Sequence, residues 1–153
     1  TSVFADVNVR FVEGAPKDRF EITSISECLT GPLTVSINLE GSAGGLIFDI
    51  TASGSGVEVF QPFELVAGQA MVSQSPAVVD GDKALSLGLR ALPKEQVVAF
   101  TLDVDDTGGA REITVSGGEI AGASVTVKSN AGTQTAQFND QARAQTALSA
   151  CSS

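Results

Sequence analysis

The sequence contains no histidine, tryptophan or tyrosine, and its only aromatic residues are eight phenylalanines. Without histidine, the chain lacks the usual general base of a catalytic triad and the commonest side-chain ligand of transition metals. No lysine lies in an SxxK pattern, and no GxxxxGK[ST] phosphate loop occurs. These absences favour a protein that binds or assembles, and we do not expect an enzyme.

Basic residues are also scarce, because 9 Lys and Arg face 18 Asp and Glu, for a formal net charge of −9. This sign disfavours nucleic acid, whose phosphates are contacted by Lys and Arg, and it disfavours anionic membrane surfaces. It suits binding of a hard cation, or solubility alone. No apolar run approaches the roughly 20 residues of a membrane helix, so no membrane span is expected.

Short runs in which apolar and polar residues alternate recur along the chain, each bounded by Gly, Pro, Asp, Asn or Ser. Such alternation is typical of a strand with one buried face, and the bounding residues favour turns. The predicted inward positions are Val7, Val9, Phe11, Phe20, Ile22, Leu33, Val35, Ile37, Leu39, Leu85, Leu87, Leu89, Phe100, Leu102, Val104, Val125 and Val127.

The 153 residues fit a single domain, 1–153. About eight to ten short strands separated by turns predict an all-β fold, an antiparallel β-sandwich with Greek-key or jelly-roll-like connections and little or no helix. A closed barrel is the alternative. The best helical candidate, residues 139–150, lacks a broad apolar stripe, and we interpret it as strand or irregular structure.

Residues 101–115, TLDVDDTGGAREITV, place three aspartates, two glycines and a glutamate between two strand-like runs. If this segment is a hairpin, Asp103, Asp105, Asp106 and Glu112 share one surface beside spare turn carbonyls. Calcium binds such oxygens in flexible geometry. The spacing is not that of an EF-hand loop, and Asp and Gly are also ordinary turn residues. A calcium site and a solvated turn therefore both stay open.

A similar arrangement occurs in LIFDITASGSGVEVF, where Asp49 ends an apolar run, glycines follow, and Glu58 lies nine residues after the aspartate. We predict Asp49 and Glu58 as second-choice calcium ligands. Paired carboxylates also serve glycosidases as acid and base. Sugar-binding enzymes usually offer a shaped pocket with aromatic lining, and this chain has only phenylalanine. A glycan-processing enzyme is kept as a third hypothesis.

The two cysteines, Cys28 and Cys151, are too far apart for a CxxC redox or zinc motif. A disulfide joining the C-terminal end to an early loop is the first hypothesis, and two unrelated thiols are the alternative. An unstrained bridge over so long a loop would contribute about 4–5 kcal/mol in the chain-entropy model. A bridge would also indicate an exported protein.

The N-terminal segment TSVFADVNVRFV has two interpretations. Residues 1–5 are either the remnant of a removed leader or an N-terminal arm, and the segment as a whole reads as an ordinary first strand. Its apolar positions Val3, Val7, Val9 and Phe11 also suit a strand donated to a neighbouring subunit, as in fibres built by strand addition. Both interpretations stay open.

Three segments, VRFVEGAPKDRFEITSISEC, GLIFDITASGSGVEVFQPFEL and AFTLDVDDTGGAREITVSGGEIAGASVTV, resemble exported proteins of marine alphaproteobacteria of the aggregation-factor-core-like family. The resemblance spans roughly residues 5–128, and Cys28 and Cys151 fit the family's pattern. It implies a cleaved leader and calcium-dependent aggregation of cells or matrix. It supplies no catalytic residues.

We therefore expect an exported, non-enzymatic adhesion or extracellular-matrix module, with Ca²⁺ as its only cofactor. Its place would be extracellular or on the cell surface, with the periplasm as a further compartment. The expected partner is a protein or glycan of the surface or matrix, or another copy of the chain. The alternative is a subunit of an extracellular fibre assembled by strand donation from the N-terminus.

Overall fold

The computed structural model describes residues 2–12, 18–24, 32–42, 45–49, 51–54, 57–60, 63–76, 82–92, 96–106, 120–129 and 132–152. Within these ranges the chain forms strands and a 3-10 turn, Gln69–Met71, and Ile120 belongs to a further 3-10 segment. The strands are β1 (Ser2–Val12), β2 (Asp18–Ser24), β3 (Leu33–Asn38), β4 (Leu46–Asp49), β5 (Thr51–Gly54), β6 (Val57–Phe60), β7 (Glu64–Ala67), β8 (Val72–Gln74), β9 (Ala84–Leu89), β10 (Val97–Asp106), β11 (Ser124–Ser129), β12 (Gly132–Gln137) and β13 (Arg143–Ser152).

The first sheet has the strand order β13-β1-β2-β10-β4, and all its neighbours are antiparallel. β2 occupies one edge of β10. Along the other edge, β7 pairs with residues 99–101 and β4 pairs with residues 103–106. The long strand β10 therefore holds two short strands end to end.

The second sheet has the order β12-β11-β3-β9-β8, again antiparallel throughout. The chain passes from one sheet to the other between β2 and β3, β3 and β4, β7 and β8, β9 and β10, β10 and β11, and β12 and β13. These crossings explain why β2 pairs with β10 and β3 with β11, strands that are distant in sequence. β5 and β6 form a separate two-stranded hairpin.

The two sheets share one hydrophobic core, to which both contribute alternate residues of their strands. In β2 the alternation is complete, and Phe20 and Ile22 are fully buried. In β3 and β9 the same period buries Val35, Ile37 and Leu87. Each of the inward positions named above is buried. Ile113 and Val115, predicted inward on the strand that follows the acidic turn, lie outside the described residues. The prediction of an all-β antiparallel sandwich is confirmed.

The strands β12 and β13 differ in how well the sequence predicted them. Residues 143–150 of the best helical candidate belong to β13, in agreement with the interpretation as strand. β12 has the sequence GTQTAQ and no buried residue, so its sequence has no apolar alternation that would predict a strand. It forms because its backbone pairs with β11 along six consecutive positions. Within the described residues, no helix is long and apolar enough to cross a membrane.

Candidate functional site

The predicted acidic cluster lies along β10 and its neighbour β4. Asp103 is directly opposite Asp49 in the register of these strands, and Asp105 is opposite Ile47. Asp106 is the last residue of β10 and pairs with Leu46. Directly opposite residues of an antiparallel pair have Cβ atoms about 4.5–5.5 Å apart. The fold therefore brings together two aspartates that the sequence showed only as similar motifs. The side chains of Asp49, Asp103, Asp105 and Asp106 lie outside the described part of the structure.

The other predicted ligands and the cysteines are less completely placed. Glu58 lies in β6, opposite Ser53 of β5, and its side chain is outside the described part of the structure. Glu112 and Cys28 lie outside the described residues altogether. Cys151 lies in β13, where its backbone pairs with Val3. The calcium ligand set and the Cys28–Cys151 bridge thus remain predictions.

A buried carboxylate that the sequence analysis passed over lies at the start of β2. Asp18 is 1% exposed, and its Oδ2 accepts a hydrogen bond of 3.0 Å from the backbone N–H of Val104. A buried carboxylate is stabilised by such charge-assisted hydrogen bonds. Asp18 has the same strand parity as Phe20 and Ile22, and this parity would have placed it inward. It ties β2 to β10 next to the Asp103 and Asp105 positions.

A groove of about 490 Å³ crosses the outer face of the first sheet over β13, β1 and β2. Two rows of residues, fixed by the strand register, form most of it. Arg10 of β1 lies opposite both Arg143 of β13 and Glu21 of β2. Asn8 lies opposite both Gln145 of β13 and Thr23 of β2. The groove is lined by Asn8, Val9, Arg10, Glu21, Thr23, Asn139, Arg143, Ala144 and Gln145. We name it the arginine groove.

Glu21 is shared by two arginines beside the groove. Its Oε2 lies 3.1 Å from Nε of Arg19, and its Oε1 lies 3.8 Å from Nη1 of Arg10. The contact with Arg19 is ionic and lacks the geometry of a hydrogen bond. The Arg10 side chain is 55% exposed, and an ion pair of this length and exposure contributes little, about 0–1 kcal/mol. Glu21 therefore orients Arg10 without saturating its guanidinium.

A tight corner between β12 and β13 positions Arg143 beside the groove. Oδ1 of Asn139 accepts hydrogen bonds from the backbone N–H groups of Gln141 (2.9 Å) and Arg143 (3.1 Å). Asn139 N–H donates to the Arg143 carbonyl, and Phe11 N–H donates to the Ala142 carbonyl. Ala142 has a φ of 63°, in the left-handed region that disfavours residues with a Cβ. The hydrogen bonds around it offset this cost and fix where β13 begins.

Sequence reasoning missed the arginine groove because its residues come from distant parts of the chain. Alternation did place Arg19, Glu21 and Thr23 on the outer face of β2. The sequence carries no signal that β13 would lie beside β1 and bring Arg143 opposite Arg10. Within the described residues, no group of three or more Cys, Asp or Glu side chains is arranged to hold a metal ion.

No protein-family model matches the chain, and no curated protein is significantly similar to it.

Proposed function

We propose that the protein is an exported, non-enzymatic adhesion or extracellular-matrix module whose cohesion calcium supports. The observation that carries the calcium part is the register of β10 and β4, which sets Asp103 opposite Asp49. Like charges directly opposite each other destabilise a strand pair unless something relieves the repulsion. A bound Ca²⁺ would relieve it, since carboxylates are the ligands that this ion prefers.

The adhesive part of the proposal rests on the framework and on composition. The outer face of the first sheet carries exposed polar side chains on strands paired over long registers, so the backbone positions that bear them are fixed. The arginine groove on this face presents several of these side chains to a partner. The resemblance to aggregation-factor-core-like proteins and the two cysteines favour export. The partner is a surface or matrix protein, a glycan, or a second copy of the chain.

Strand donation is the alternative, and the structure bears on how it would have to work. β1 pairs with β13 on one side and with β2 on the other, within its own chain. Exchange between subunits would therefore replace these pairings with the same pairings from a neighbour. No observation in the single chain favours that exchange over the ordinary first strand.

Calorimetry with and without calcium tests the calcium part. We expect millimolar Ca²⁺ to raise the melting temperature, because an ion that binds only the folded state stabilises it by mass action. The double variant Asp49→Asn, Asp103→Asn keeps the shape of both side chains and should lose the increase. A matched variant, Asp140→Asn, removes one charge from an exposed turn and should keep it.

Aggregation of protein-coated beads tests adhesion itself. Beads carrying the wild-type protein should clump or attach to matrix in calcium and disperse in a chelator. If clumping does not depend on calcium and calcium does not change the melting temperature, the calcium part of the proposal is overturned and the adhesive part is retained. Beads that neither clump nor attach under any of these conditions would overturn the adhesive function.

A further inference from the structure

The arginine groove lies on a different part of the first sheet from the acidic strand pair, and its chemistry is opposite. We propose that this groove binds an anionic oligosaccharide, whose carboxylate or sulfate group contacts Arg10 and Arg143 while its hydroxyls contact the amide and hydroxyl side chains beside them. This inference names a class of ligand for the proposed adhesive function. It rests on the proposed function in one respect, that the oligosaccharide is part of an extracellular matrix.

The first argument is local charge. The chain has five arginines, and three of them, Arg10, Arg19 and Arg143, lie on the outer face of three adjacent strands. Glu21 offsets one of these charges, which leaves an excess of positive charge in a protein whose net charge is −9. A local patch of positive charge is not needed for solubility, because the acidic residues already supply it.

The second argument is the direct opposition of Arg10 and Arg143. Like charges facing each other across an antiparallel pair are destabilising. Within the described part of the chain, no carboxylate lies within ion-pair distance of Arg143. An anion placed between the two guanidinium groups removes the repulsion and accepts charge-assisted hydrogen bonds from both. Arginine suits this role, because its planar fork matches carboxylate and sulfate oxygens.

The third argument is the rest of the lining, which decides between a sugar and an acidic peptide. Asn8 and Thr23 offer an amide and a hydroxyl group, which can donate to and accept from sugar hydroxyls, and Asn139 adds the donors of its Nδ2, since its Oδ1 already accepts two backbone hydrogen bonds. A bound peptide strand needs a free sheet edge for backbone pairing, or pockets for alternate side chains. The groove crosses the face of the sheet, and the apolar residues among those that line it, Val9 and Ala144, are both buried. These features favour the sugar.

The size of the groove agrees with this ligand. About 490 Å³ falls within the roughly 300–1,000 Å³ range of small-ligand sites and accommodates a short oligosaccharide. The acidic surface elsewhere repels an anion at long range, so association should be slow and strongly dependent on ionic strength. We therefore expect binding that is selective for charge but modest in affinity.

Titration calorimetry on the full chain tests the proposal with five probes: an oligogalacturonate, a sulfated oligosaccharide of similar length, a neutral galactose oligomer, polyglutamate and sodium sulfate. One or both anionic oligosaccharides should bind, and which one binds identifies the acid group. The neutral oligomer should bind far more weakly. The affinity should fall as salt is raised, because both guanidinium groups are exposed.

Matched arginine variants locate the site. Arg143→Gln and Arg10→Gln should each weaken oligosaccharide binding about 10–100-fold, since each removes charge-assisted hydrogen bonds. Arg90→Gln is the control, because Arg90 is exposed beyond the end of β9 in the second sheet and its loss changes net charge equally. It should bind like the wild type. Melting temperatures of all three variants establish that they fold.

Four results would overturn the proposal: no binding by either anionic oligosaccharide, equal binding by the neutral oligomer, tighter binding of polyglutamate or of sulfate alone, or an Arg143→Gln variant that folds and binds like the wild type. Failure of the proposed function looks different. If the beads do not adhere but oligogalacturonate or its sulfated counterpart still binds through Arg143, the adhesive function is overturned and the oligosaccharide site in the arginine groove stands. If Arg143→Gln still adheres although no oligosaccharide binds to the protein, the oligosaccharide site is overturned and the adhesive function stands.

Discussion

At the scale of single residues, the core is centred on one phenylalanine. Phe20 has ring centroids of Phe11 at 5.1 Å, Phe100 at 5.3 Å, and Phe48 and Phe138 at 6.4 Å. Aromatic pairs at such distances contribute beyond their buried area, about 0.5–1.5 kcal/mol each. Its neighbours come from β1, β10, β4 and the segment after β12, so one side chain connects much of the fold.

We predict that Phe20→Ala lowers the free energy of unfolding by about 3–5 kcal/mol, because it opens a cavity that four rings cannot fill. Phe20→Leu should cost clearly less, since it keeps most of the volume. Val66→Ala, at a side chain that is 40% exposed, serves as the control and should change stability by less than about 0.5 kcal/mol. Denaturant unfolding measures all three. A cost for Phe20→Ala near that of the control would contradict the packing described.

At the scale of elements, the corner between β12 and β13 links the two sheets and sets the position of Arg143. β12 belongs to the second sheet and β13 to the first, and only a few residues separate them. The side chain of Asn139 satisfies two backbone N–H groups in this corner. Short polar side chains that accept such hydrogen bonds are what permit abrupt turns.

We predict that Asn139→Ala destabilises the protein by about 1–2 kcal/mol, in the range found for loss of a capping side chain. Asn139→Asp keeps an acceptor oxygen at the same place and should be close to the wild type. The alanine variant should also weaken oligosaccharide binding, because β13 then begins less well fixed beside β1. Denaturant unfolding and the calorimetric titration give both readouts. Equal stability of the two variants would show that the corner does not depend on the side-chain oxygen.

At the scale of the whole molecule, the fold depends on pairings between distant segments. β1 is enclosed between β13, the last strand, and β2. It also places Val7, Val9 and Phe11 in the shared core. Removing it would expose the facing edges of two strands and open the core at once. The N-terminal segment is therefore part of the structural framework in the single chain.

We predict that a chain lacking residues 1–12 fails to fold, as judged by loss of cooperative unfolding and by rapid proteolysis. A chain that donates β1 to its neighbour behaves otherwise. Without residues 1–12 such a chain stays folded as a monomer but cannot polymerise. A folded, monomeric truncated protein would overturn our prediction.

How much was foreseeable from the sequence follows from the range of the interactions involved. Alternation of apolar and polar residues is local, and it predicted the inward faces of β2, β3, β9 and β10 because period two is a property of one strand. Asp18 obeyed the same parity and was overlooked. β12 escaped prediction because an edge strand whose side chains are nearly all exposed needs few apolar residues, and only Ala136 in it packs against the core.

The sequence by itself determined the all-β class, the buried face of most strands and the absence of histidine, tyrosine and tryptophan. Each of these depends on composition or on neighbours along the chain. Only the tertiary structure decided that Asp103 lies opposite Asp49 and that Arg143 lies opposite Arg10. Strand order and register are set by packing of the whole core, and the energy of that packing is shared among residues far apart in sequence. The candidate binding surfaces are consequences of that register.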